Sequence, residues 1–259
     1  MFGTTWAIAI AVALQSAGGA PTSPPATADP AQSAIITDPW PDERPLTHLF
    51  PNLFHDLVTI PSANSAVILA AGGAAAFGSH EADTSLANWI TDAGPSSYSA
   101  FGDWLGNGWV QSGGAVATYA LGLITHRPQV VHLGGDLIRA QALNAVLTTT
   151  IKVSAERTRP TGARRAFPSG HTSATFASAA VLHAHYGWRA GVPAYAAAAF
   201  VGWSRVRDRD HWLSDVAFGA AVGIISGRTV AARHQRRGFI IVPAATKGGA
   251  ALTVTWTPG

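Results

Sequence analysis

Four apolar runs rich in Ala and Gly, residues 66–78, 113–124, 190–203 and 216–227, set the terms on which this chain can fold. Each is only about 12 to 14 residues long. A membrane span needs about 20 residues, and runs of 10 to 14 more often form buried core helices. Abundant small residues let helices approach closely in either solvent. Hydrophobic residues make up 47% of the chain and charged residues 12%, more apolar and less charged than an average soluble domain. These features predict an all-α fold, a densely packed helical bundle with affinity for a membrane surface.

The flanking segments read differently. Residues 6–14 (WAIAIAVAL) are a short apolar run, followed by small residues and Ala26-Thr27-Ala28. That pattern predicts a signal peptide over 1–28 and an exported protein, in the periplasm or cell envelope. Residues 21–45 hold seven of the 16 prolines, so 29–45 reads as an extended Pro-rich linker. From Leu46 the spacing turns helical: Leu46, Phe50, Leu53, Phe54, Leu57 and Val58 recur at i, i+3, i+4, with Pro51 as an interruption. Residues 129–159 read as one long helix, closed by Pro160. At the other end, residues 239–242 and 251–256 look like two strands around Thr246-Lys247-Gly248-Gly249, so 238–259 is expected to be a short C-terminal β-hairpin behind a helical domain at 46–237. The chain has no cysteine, which excludes disulfides and cysteine chemistry.

The net charge of +3 is too small to imply nucleic-acid binding, but its distribution is uneven. Between Lys152 and Arg209 lie nine of the 17 Lys and Arg residues against two acids, Glu156 and Asp208. That imbalance predicts an anion site. Three clusters inside it share one chemistry. Lys152 and Arg159 are seven apart, two turns of the expected helix, so they share a face. The guanidinium fork suits phosphate oxygens. Pro168-Ser169-Gly170-His171 supplies a turn, a helix-capping hydroxyl and backbone N–H groups at a helix N-terminus, another anion site. Arg205, next to Ser204, precedes His211 and Asp215, which are i and i+4 on an expected helix. A carboxylate there holds one ring nitrogen of His211 and leaves the other free as a nucleophile. Two histidines also allow one to attack and one to protonate the leaving group.

At these residues the chain resembles the type 2 phosphatidic acid phosphatase (PAP2) superfamily, which includes bacterial acid phosphatases, lipid phosphate phosphatases and vanadium haloperoxidases. The motifs are Lys152-VSAERT-Arg159-Pro160, then Pro168-Ser169-Gly170-His171, then Ser204-Arg205-VRDRD-His211-WLS-Asp215. They cover residues 152–215, about a quarter of the chain. The resemblance implies a bundle of about six core helices, with the motif-bearing helices converging at one end. It implies that Lys152, Arg159, Ser169, Gly170 and Arg205 bind the substrate phosphate. His211 would attack phosphorus, Asp215 would orient it, and His171 would protonate the leaving group, with no metal or other cofactor. The partner implied is a phosphate ester, soluble or lipid. A vanadium-dependent haloperoxidase and a non-catalytic anion-binding envelope protein are the alternatives.

Outside the motifs, His80, His126, His132, His183 and His185 have no companion residues and read as structural. Arg157, Arg164 and Arg165 flank the site and read either as a solvated basic loop or as an attractor for anionic substrate. Asp208 and Asp210 are placed to temper the arginines around them.

Overall fold

A computed structural model describes residues 49–91, 97–232, 239–246 and 249–256 of the chain. The expected signal peptide and Pro-rich linker lie outside the described residues. Among them the helices are, in chain order, α1 (Leu49–Thr59), α2 (Ala63–His80), α3 (Asp83–Thr91), α4 (Ser97–Gly106), α5 (Gly108–Ile124), α6 (Pro128–Ala155), α7 (Gly170–Tyr186), α8 (Trp188–Arg207) and α9 (Leu213–Ala231). All belong to one unit, Asp42–Arg233, while the C-terminal residues from His234 belong to a second. The helical unit has the all-α architecture that the apolar runs predict.

Small residues explain how the last helix reaches the centre of the bundle. Gly219, Gly223 and Gly227 repeat every four residues along one stripe of α9. A Cβ at these positions would lie 2.7, 2.2 and 2.4 Å from the carbonyl oxygens of Ser169, Ser173 and Ala177. The stripe therefore rests directly on the backbone of α7, beginning at the serine of the PSGH turn. No side chain fits between the two helices. Around this contact Leu143, Ala140, Val181, Val230 and Ala115 form the apolar core. Small-residue packing thus locks the start of α7 against the start of α9.

The apolar runs grow into longer helices than their own lengths suggest. Even so, only α9 among the described helices is long and apolar enough to cross a membrane, and α1 with α2 would make a second only if that pair, bent by 70°, counts as one span. More than half of α9 is buried inside the bundle.

Three local expectations are corrected. First, the apolar stripe of α1 meets the core through Leu53 but leaves most of its large side chains at the surface. Phe50, Phe54 and Val58 are exposed, and the buried residue of α1 is Asp56. Its carboxylate accepts from Arg139 Nε on α6 at 2.9 Å, so the helix docks through an ion pair. Second, α6 ends at Ala155, with Glu156 in the left-handed conformation (φ 43°). Arg159 is therefore in the following loop and shares no helical face with Lys152. Third, α9 begins at Leu213, so His211 lies in the turn before the helix and only Asp215 is inside its first turn.

Candidate active site

The PSGH segment begins α7. Ser169 is the N-cap: its Oγ accepts from Thr172 Oγ1 at 2.9 Å, and its own N–H donates to the Asp215 carbonyl at 3.0 Å. Gly170 follows as the first helical residue. A Cβ on it would touch Lys152 Cε at 3.7 Å, so the lysine from the end of α6 lies beside the helix start. Lys152 Nζ donates to the Arg165 carbonyl at 3.0 Å. The loop 156–169 folds back so that Ala166 N–H reaches the Arg157 carbonyl at 2.7 Å and Arg159 N–H the Ala163 carbonyl at 2.7 Å. This loop, rather than a helical face, brings Arg159 to the site.

Arg205 comes from the last turn of α8 and is almost fully buried. Its two terminal nitrogens hold two carboxylates. Nη1 donates to Asp103 Oδ1 at 2.6 Å, and Nη2 donates to Asp210 Oδ2. Asp210 also accepts from Arg159 Nη1 at 3.3 Å. Asp103 Oδ1 stands 3.1 Å from His171 Nε2. A continuous set of charged contacts thus runs from Arg159 through Asp210, Arg205 and Asp103 to His171. The tempering role expected of Asp210 is present in this geometry.

His211 is buried. The turn that carries it closes on one acceptor, the Arg205 carbonyl, which receives both Asp210 N–H (3.1 Å) and His211 N–H (3.2 Å). His211 Nδ1 lies 3.6 Å from Asp215 Oδ2, slightly beyond hydrogen-bond length. Such contacts are commonly long in a site without its substrate. Asp215 is fully buried and fully used. Oδ2 accepts from Trp212 N–H at 2.9 Å, which ties down the start of α9, and Oδ1 accepts from Arg157 Nη1 at 2.6 Å.

Arg157 fits neither of the two readings the sequence offers for it, a solvated basic loop or an attractor for anions. It is not a solvated attractor. Besides Asp215 it grips Ser214 Oγ at 2.6 Å and Asp83 Oδ2 at 2.7 Å, and its guanidinium stacks over Trp212. Asp83, on α3, also accepts from the Ser214 N–H and Oγ. His80 completes this group, with Nδ1 3.1 Å from Arg157 Nη2. Nothing local in the sequence links Asp83 or Asp103 to motifs that begin 69 and 49 residues later. Only the spacing of Gly102 and Gly106 hints at the close seat of α4.

The electrostatics follow from burial and from crowding of like charge. Burial pushes the Lys152 ammonium down to about 8, and neighbouring Arg159 pushes the same way. His171 falls to about 4, mainly through burial and then through Arg205, while the Asp103 carboxylate opposes the fall. Burial also lowers His211, against the pull of Asp215. At neutral pH an empty site therefore has both imidazoles neutral beside three cations. That is an arrangement for a dianion and a nucleophile. All eight residues expected from the motifs meet here, at one end of the bundle.

Residues 125–239 match the PAP2 superfamily model. Over 90 residues the chain is 44% identical to a lipid A 1-phosphatase of Porphyromonas gingivalis, a match covering 33% of this chain and 20% of that protein. The chain thus spans about a fifth of the length of that relative. Among solved structures it is similar to LpxE of Aquifex aeolicus, with 25% identity, 58% of this chain and 94% of that one covered, and a TM-score of 0.48. A PAP2-type phosphatidylglycerolphosphate phosphatase from Bacillus subtilis is similar at 19% identity, with 74% and 96% covered and a TM-score of 0.49.

Proposed function

We propose, on the premise that residues 125–239 match the PAP2 superfamily model, that the chain is a metal-independent phosphatase that hydrolyses phosphate monoesters of lipids. The observation that carries this reading is the convergence of Lys152, Arg159 and Arg205 with His171 and His211 in one buried charged site. In the proposed reaction the three cations, Ser169 and the Gly170 N–H hold the phosphate oxygens. His211 offers Nε2, because Nδ1 is the nitrogen that faces Asp215. A phosphorus–nitrogen bond forms as the phosphorus–oxygen bond to the leaving group breaks, and His171, neutral in the empty site and drawn to its protonated form by the charge of the bound dianion, gives its proton to the departing alkoxide. Water then attacks the phosphohistidine and gives up a proton to His171, releasing inorganic phosphate. Fixed cations aimed at developing negative charge lower the barrier with little reorganisation.

A lipid substrate is favoured by the surface around the site. Phe101 and Trp104 are more than half exposed on α4, the helix that supplies Asp103. They stack on each other and continue through Phe200 to Trp203. Exposed aromatic rings suit the boundary between water and a lipid surface. The name of the Porphyromonas gingivalis relative, a lipid A 1-phosphatase, agrees with this reading. An exported, envelope-facing location, with residues 1–28 as signal peptide and 29–45 as linker, is the setting that goes with it. The proposed C-terminal hairpin is supported by an antiparallel register that pairs Phe239 with Trp256.

The test is phosphate release from the purified full chain in EDTA, with p-nitrophenyl phosphate and detergent-dispersed phosphatidate as substrates. Turnover of phosphatidate should exceed that of the soluble ester, and His211→Ala should abolish both. Undiminished turnover in that variant, or a strict metal requirement, would refute the mechanism. Phosphate binding without any turnover would instead favour an anion-binding protein.

A further inference from the structure

Asp103 lies outside every motif, yet its carboxylate touches both a motif arginine and a motif histidine. Oδ1 is 2.6 Å from Arg205 Nη1 and 3.1 Å from His171 Nε2. These are the cation and the acid that the proposed mechanism aims at the substrate. We propose that Asp103 is a specificity-determining residue that occupies the phosphate subsite of the empty enzyme and must withdraw before a phosphate ester can enter. This inference rests on the phosphatase reading above.

The placement is built into α4. A Cβ on Gly102 would lie 2.4 Å from Ser204 Oγ, and one on Gly106 would lie 2.8 Å from His171 Cβ. Two glycines one turn apart thus seat α4 directly on the helices that carry Arg205 and His171, with Asp103 between them in sequence. The side chain itself is half exposed, so it can turn outward without dragging a buried group into water. Asp210 offers a second carboxylate to Arg205 and to Arg159. With both in place, internal carboxylates neutralise two of the three cradle cations. A dianionic phosphate offers those arginines more charge than either carboxylate, whereas a carboxylic acid, a sulfate ester or a phosphodiester offers one charge, no more than the group it must displace. The cradle therefore selects for doubly charged terminal phosphate.

Asp103→Asn removes the charge and keeps the shape. Isothermal titration of the full chain with inorganic phosphate should show binding about tenfold tighter than wild type, because a like charge against the ligand is gone. KM for phosphatidate should fall in parallel, and inhibition by inorganic sulfate should become stronger. Asp103→Ala should behave the same way, which separates loss of charge from misfolding. Unchanged or weaker phosphate binding in both variants, with wild-type turnover intact, would overturn the role of Asp103 alone. A wild-type protein that neither binds phosphate nor releases it from esters would overturn the phosphatase reading and this inference with it.

Discussion

Among the described residues, two of the arginine–carboxylate networks, those of Arg139 and Arg205, are built for opposite purposes. One centres on Arg139 in the middle of α6. Nε donates to Asp56 and Nη1 to Asp136 (3.2 Å), while His185 Nε2 stands 3.0 Å from the second oxygen of Asp136. The side chains of Arg139, Asp56 and Asp136 are 3%, 1% and 0% exposed. The other centres on Arg205, whose partners Asp103 and Asp210 are 50% and 30% exposed. Arg139 and Lys152 are 13 residues apart on one helix, about 20 Å along its axis, so the ion pairs of Arg139 lie far along α6 from its cationic end. Burial decides the difference. Where both signs are dry and mutually satisfied, no outside anion can compete and the network fixes the packing of α1, α6 and α7. Where the carboxylates reach water, they can be exchanged for a ligand.

The largest expected effect breaks the closed network. Asp56→Ala leaves the Arg139 guanidinium buried with one carboxylate fewer, which should cost about 3 to 5 kcal/mol of stability. Urea unfolding of the full chain in detergent would register it. Asp103→Asn should barely move the same transition, since its partner keeps Asp210. Equal losses from both variants would erase the distinction between the two networks.

That contrast also marks what the sequence could and could not reveal. The cations and histidines of the open network are legible because they occur in fixed spacings, and spacing survives without knowledge of the fold, whereas Asp103, 49 residues before the first motif, is not. The all-α bundle was legible from the Ala/Gly-rich runs, and the glycines of α9 turned out to be its contact stripe. Asp56 was not legible. Its helix shows apolar residues at i, i+3 and i+4, of which Leu53 reaches the core while Phe50, Phe54 and Val58 stay exposed, and periodicity does not say how much of a stripe is covered or which polar residue is buried beside it. Arg159 was assigned to a helix that stops at Ala155, because a left-handed Glu156 gives no strong signal in composition. Arg157 lay between two motif residues, yet its partners Asp83 and Asp215 come from α3 and α9, which only tertiary structure joins.

Arg157 tests whether a third group belongs with the closed network or the open one. It is partly exposed itself but grips the fully buried Asp215. As a positioning residue acting through Asp215, its change to Ala should lower kcat about 100-fold, in the range for loss of an orienting group, with a smaller change in KM. Arg157→Lys keeps the charge and should recover part of that loss, though a lysine cannot bridge Asp215 and Asp83 through a planar fork. A purely structural Arg157 would lower the melting temperature and leave kcat per folded molecule unchanged.

The smallest expected effect sharpens the comparison by titrating the open network alone. The Lys152 ammonium is held down to about 8 by burial and by Arg159. Below that pH it is charged and can hold a phosphate oxygen. As pH rises through 8 the charge is lost in the free enzyme, so kcat/KM should fall by about tenfold per unit, the slope expected for loss of one essential proton. Binding a dianion pulls the lysine back toward its charged form, so kcat should hold to higher pH than kcat/KM. Lys152→Arg supplies a cation that stays protonated throughout this range. In that variant the alkaline limb of kcat/KM should move up by more than a pH unit, whatever its absolute activity. A limb that stays near 8 in Lys152→Arg would show that another group sets it, and Lys152 would lose its place among the cations that receive the substrate.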